Sequence, residues 1–171
     1  AKNIINYFSD NNHFQVSHVF SNNKRSDFVN HIKNKNVQYF LFEEDEINGK
    51  VFNELKTINP KLIILAGFLI KIPSIYINFF KNKIINIHPS LLPKYGGKGM
   101  YGLNIHKKVI ENEESETGIS IHYVSEEYDS GKIIFQKKIK VDKYDTPEKL
   151  EKKIHKLEYE YFPKVIESLL K

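Results

Sequence analysis

The chain of 171 residues balances 26 Lys and Arg against 21 Asp and Glu, for a net charge of +5, and is 40% hydrophobic and 27% charged, which excludes a disordered or fibrous class. It contains no cysteine; a disulfide framework, a thiolate nucleophile and a Cys-based zinc site are therefore excluded, and a reducing cytoplasm is the expected compartment. Its longest apolar runs, such as LIILAGFLI, reach about half the length a membrane-spanning helix needs, and its cations are scattered lysines with one arginine, Arg25, so neither a membrane nor a nucleic acid is the expected partner.

One domain, residues 1–171, is the expected organisation, because this length buries a sizeable core without room for two full-sized domains. AKNIINYF opens in helical pattern, although a doubly wound sheet normally feeds its first helix from a strand and a turn. FQVSHVFS, VQYFLF, KLIILAG and KIINIH follow as short runs rich in β-branched and aromatic residues, each read as a strand. RSDFVNHIKNK, KVFNELKTIN and IPSIYINFF lie between them with apolar residues at helical spacing. Such alternation predicts an α/β fold with a mostly parallel, Rossmann-like sheet and helices on both faces. Beyond a glycine-rich loop, YGLNIHKKVIEN reads as a helix, and ETGISIHYVS and GKIIFQKKIKV as strands paired in a hairpin around EEYDSG. DTPEKLEKKIHKLEYEYFPKVIESLLK closes the chain as a long helix with Thr146 as N-cap and Pro147 at its first position. Pro163 is expected to bend or split it.

The stretch IINIHPSLLPKYGGKGMYG carries the chemistry. Asn86 and His88 are two apart on a strand, so both leave the same face, with Ile85 and Ile87 on the other. An amide and an imidazolium converging beyond the carboxyl end of a strand form a donor pair able to stabilise an oxyanion during acyl transfer. Pro89 and Pro93 stiffen the loop that follows, and Gly96, Gly97, Gly99 and Gly102 allow close backbone approach to a ligand. Asp129, in the hairpin turn, is the candidate third member: a carboxylate near His88 would favour its charged form and could relay protons through water. Two weaker arrangements are Ser90 as a nucleophile beside His88, which lacks a G-x-S-x-G elbow, and His88, His122 and Asp129 as a metal set, which lacks ligand spacing. His122 alternates with Ile119 and Ile121 and reads as a structural histidine near the site.

NIHPSLLPKY, followed downstream by TGISIHYVSEEYDSG, resembles the glycinamide ribonucleotide formyltransferases, and the likeness extends from LIILAGFLIKIP to LEYEYFPKVIESL. The resemblance implies transfer of a formyl group from 10-formyltetrahydrofolate, as co-substrate, to the amine of glycinamide ribonucleotide in purine biosynthesis, without a metal. It implies that Asn86, His88 and Asp129 are catalytic. Folate contacts would come from Leu69, Ile70 and Ile72 and from the Val124 to Asp129 loop, and ribonucleotide contacts from Pro89, His155 and Glu158. In place of the family's usual proline-glycine after KY stands GGKGMYG, and no counterpart of the family's first strand and glycine-rich phosphate loop precedes Ala1. Related readings are methionyl-tRNA formyltransferase and formyltetrahydrofolate deformylase, which carry further domains, and a non-catalytic folate- or nucleotide-binding module. Oligomeric state is not legible.

Overall fold

The β-branched runs become strands in a computed structural model that describes residues 1–23, 26–33 and 35–171. Two compact units emerge, Ala1–Lys61 with Glu167–Lys171, and Leu62–Ile166. In the first, helix α1 (Lys2–Phe8) buries Ile4, Ile5 and Phe8, the spacing of one helical face. Strand β1 (His18–Ser21) pairs in parallel with β2 (Gln38–Leu41), and Phe20 stacks on Phe40 with ring centroids 5.0 Å apart. Helix α2 covers Ser26–Ile32; Arg25 and Asn34, read from sequence as part of this helix, lie outside the described residues. A 3-10 turn at Glu44–Asn48, which periodicity does not reveal, is held by reciprocal capping between Glu43 and Glu46. It leads into α3 (Lys50–Ile58), which buries Val51, Phe52 and Leu55.

The second unit holds a mixed sheet of four strands in the order β3 (Ile63–Leu65), β4 (Ile84–His88), β5 (Glu116–Tyr123), β6 (Ile133–Lys140). Strand β3 runs parallel to β4, with helix α4 (Ser74–Phe79) in the crossover a parallel pair requires. Strand β5 is antiparallel to both neighbours, so the expected hairpin forms. Ile84, Ile85, Ile119 and Ile121 are buried in the sheet. Helix α5 (Leu103–Glu111) buries Ile105 and Val109 against Leu150 of helix α6 (Pro147–Leu170).

Thr146 caps α6 as expected, accepting the Lys149 N–H on its hydroxyl at 3.3 Å. Pro163 lies inside one continuous helix, so of the two expected outcomes, a bend or a split, the split does not occur. Its ring is fully buried, and the side chains of Phe162 and Ile166 are buried as well, so apolar burial offsets the missing backbone donor.

Candidate active site

The carboxyl end of β4 is built by pairing with β5. Asn86 lies opposite His122 and His88 opposite Ser120, and directly opposed residues share a face. The two isoleucines of ISIHY thus enter the core while Ser120 and His122 join Asn86 and His88 on the polar side. His122 Nδ1 lies 2.8 Å from the Tyr123 carbonyl. A carbonyl only accepts, so Nδ1 carries a proton, and in the neutral ring Nε2 is the acceptor. Asn86 Nδ2 faces that Nε2 at 3.4 Å, a long hydrogen bond that orients the amide.

The same reasoning assigns His88. Its Nε2 donates to the Tyr95 carbonyl at 2.7 Å, which leaves Nδ1, 3.5 Å from Asp129 Oδ2, as the nitrogen that titrates. Asp129 has a φ of +53°, a left-handed conformation that aspartate tolerates better than most residues. Gly131 permits the turn: a Cβ there would collide with the Tyr123 carbonyl. The Gly97 N–H donates to Asp129 Oδ2 at 2.9 Å, and Oδ1 lies 3.6 Å from His122 Nε2. Residues separated by more than thirty positions in sequence therefore surround one point.

Burial pushes the His88 pKa below the usual histidine value, although Asp129 and the Tyr95 carbonyl pull it upward. The carboxylate favours the imidazolium, as the sequence suggests, but at a ring almost sealed from water desolvation outweighs it. Burial acts to raise the Asp129 pKa, but His122, the Gly97 N–H and His88 outweigh it and hold the carboxyl below the usual range. The pair is thus biased toward a charged Asp129 beside a neutral His88.

Ser90 is fully buried and its hydroxyl donates to the Lys94 carbonyl at 2.6 Å, a loop-closing role that leaves it unavailable as a nucleophile. Ser120 donates to the Ser90 carbonyl at 2.7 Å and accepts from the Leu92 N–H at 2.9 Å. Gln136 reaches the Leu92 carbonyl at 3.1 Å. Strands β5 and β6 thereby staple the loop that starts at half-buried Pro89. Among the described residues no group of three His, Cys, Asp or Glu could hold a metal ion, and no helix is long and apolar enough to cross a membrane.

Of the apolar candidates, Leu69 is 59% exposed, while Ile70, Ile72 and Val124 are half-buried. Their two segments meet: Lys71 Nζ lies 3.6 Å from Glu127 Oε2 and 5.9 Å from the centre of the Tyr128 ring. On α6, His155 Nε2 is 3.8 Å from Glu158 Oε2, and burial raises the Glu158 pKa against the opposing pull of His155. Sequence reasoning passed over His106, which is 1% exposed with an Nδ1 that has no hydrogen-bond partner among the described residues. Burial lowers its pKa, with the Glu151 charge pulling it upward and His155 and His88 pushing it down. A polar residue beside the apolar stripe of Ile105 and Val109 is the only sequence signal for it. His122, read as a structural histidine near the site, is buried there, with Asn86 and Asp129 both close to its Nε2.

Residues 1–166 match the family described as formyl transferase. The chain is similar to the chloroplastic phosphoribosylglycinamide formyltransferase of Arabidopsis thaliana, at 41% identity over 121 residues that cover 71% of this chain and 41% of the relative. It is 38% identical over 140 residues to the Bacillus subtilis phosphoribosylglycinamide formyltransferase, covering 78% of this chain and 69% of that one. The Vigna unguiculata chloroplastic enzyme is matched over 52% of its length, so the chain spans about half the length of the plant relatives. Among solved structures, glycinamide ribonucleotide transformylase 1 from Geobacillus kaustophilus superposes with a TM-score of 0.87 at 28% identity, covering 99% of this chain and 92% of that one. Matched over nearly its whole length, the chain belongs to the formyl transferase family.

Proposed function

We propose that the chain is a phosphoribosylglycinamide formyltransferase, in which the amine of glycinamide ribonucleotide attacks the formyl carbon of 10-formyltetrahydrofolate. The approach of Asp129 to His88 Nδ1 at 3.5 Å, beside the oriented amide of Asn86, is the observation that carries this reading. In it, the Asn86 N–H and the His88 Nδ1 proton donate to the oxygen that gains charge as the amine adds. A proton reaches Nδ1 most readily when negative charge develops next to it, so a neutral resting His88 is compatible with a charged one in the transition state. Asp129, already ionised, supports that imidazolium and accepts the proton the amine loses, directly or through water; collapse of the tetrahedral adduct then breaks the bond from the formyl carbon to N10, and that proton passes to N10 as tetrahydrofolate leaves.

Exposed Leu69, half-buried Ile70 and Ile72, and the Val124 to Asp129 loop with its Tyr128 ring offer an apolar surface fit for the flat folate ring system. Pro89, His155 and Glu158 are the proposed ribonucleotide contacts; the approach of His155 Nε2 to Glu158 Oε2 at 3.8 Å supports the grouping of the last two. A transfer assay offering glycinamide ribonucleotide, formylatable tRNA and water to the same enzyme with 10-formyltetrahydrofolate tests the reading. Formylation of the ribonucleotide is expected. Faster formyl-tRNA production or release of formate would overturn it.

A further inference from the structure

Beside the site lies a bonded group of side chains that the roles above leave unused. The Tyr95 hydroxyl donates to Glu114 Oε1 at 2.9 Å and accepts from Asn112 Nδ2 at 2.9 Å. Lys94 Nζ lies 2.9 Å from both Glu114 oxygens. The Lys94 side chain is 64% exposed and the Glu114 side chain only 22%, so the lysine is an outer tether and the tyrosine-carboxylate bond is the more sheltered link. The far end of Tyr95 is therefore held by two residues that bracket the connection from α5 to β5.

Its near end touches the site. Tyr95 has a φ of +56°, uncommon for a residue with a bulky side chain and retained only where surrounding contacts over-determine it. In that conformation its carbonyl accepts the His88 Nε2–H at 2.7 Å. The two ends are coupled through one residue: loss of the hydroxyl's anchors frees the backbone to relax, and the carbonyl moves with it.

We infer that Glu114 and Asn112 are positioning residues that act through Tyr95, holding its carbonyl on His88 Nε2 so that Nδ1, opposite Asp129, is the nitrogen that exchanges protons with the reaction. The functional half of this inference rests on the formyltransferase reading; the structural half does not. Metal-bound histidines are oriented by the same device, a fixed acceptor on the nitrogen that does no chemistry. The other groups that face His88 are Asp129 and His122, and His106 acts on it from α5; none of them touches Nε2 in the way the Tyr95 carbonyl does.

The test combines histidine 15N NMR with steady-state kinetics on Tyr95→Phe, Glu114→Ala and Glu114→Gln. In the parent protein at pH about 8, His88 is expected as a single Nε2–H tautomer. Tyr95→Phe and Glu114→Ala should mix in the Nδ1–H form, while Glu114→Gln, whose amide oxygen still accepts from the Tyr95 hydroxyl, should restore the parent spectrum. With glycinamide ribonucleotide as acceptor, Tyr95→Phe should lower kcat about tenfold with KM nearly unchanged. Because the Tyr95 carbonyl favours the charged ring, the alkaline fall of kcat assigned to His88 should move to lower pH in this variant. An unchanged His88 spectrum in folded Tyr95→Phe and Glu114→Ala, or an Nδ1–H tautomer in the parent, would overturn the inference. The spectrum requires no turnover, so a switched tautomer in a protein without formyl transfer would count against the proposed function alone.

Discussion

The Asn86 amide carries two N–H groups, and one of them faces His122 Nε2 at 3.4 Å, which leaves the other for a ligand oxygen. Removal of one such donor typically costs about a hundredfold or more in turnover. Asn86→Ala and His88→Ala are accordingly expected to lower kcat by about that factor in a formyl-transfer assay, with circular dichroism unchanged. Asp129→Asn separates charge from shape, because the Asn carbonyl can still accept the Gly97 N–H that Asp129 accepts at 2.9 Å. A kcat loss of about a hundredfold in a variant with an unaltered urea midpoint is expected there; parent-like turnover would remove the carboxylate from the mechanism. The N-x-H pair was legible because strand geometry alone puts alternate side chains on one face. Asp129 could be named from the sequence as a candidate partner of the pair, but nothing local encodes its distance from His88, which only the fold sets at 3.5 Å.

Strands and helices were readable wherever one period dominated. The hairpin of β5 and β6 and the long helix α6 both appear close to their sequence boundaries. The Glu44–Asn48 turn escaped because a single 3-10 turn has no repeating apolar signal, and the choice between a bend and a split at Pro163 was left open because a propensity rule carries no information about packing. At this scale Gly131 links fold to site: it lies where the Tyr123 backbone passes too close for any Cβ, two residues after the left-handed Asp129. Gly131→Ala should destabilise the protein by about 2 kcal/mol, read from urea unfolding. The variant should lose turnover as well, because the turn that carries Asp129 must shift.

Over the whole molecule, acid should act first through buried histidines. Burial lowers the pKa of both His88 and His106 from the ordinary 6.5. Below pH 6.5 the unfolded chain therefore takes up protons that the native state refuses. Stability is full above that pH, declines as the pH falls below it, and levels off only beneath the folded values. Asp129, held below its ordinary 3.8, adds a second decline that begins near that value. Melting temperature measured from pH about 8 to 5 should fall, and His106→Leu should flatten the upper part of the decline, as it removes a titrating ring whose buried Nδ1 has no hydrogen-bond partner among the described residues. An unchanged slope in this variant would show that His106 does not contribute.

Local sequence determined the alternation of helix and strand, the Asn86 and His88 pair and the hairpin with its aspartate, since each depends on a repeat or spacing within one segment. Tertiary structure alone decided that Asp129 meets His88, that His122 and His106 join the site's surroundings, and that burial rather than the neighbouring carboxylate governs the resting charge of His88. Distances between segments and the loss of water around a ring arise only when the segments pack, so no pattern along the chain could have contained them.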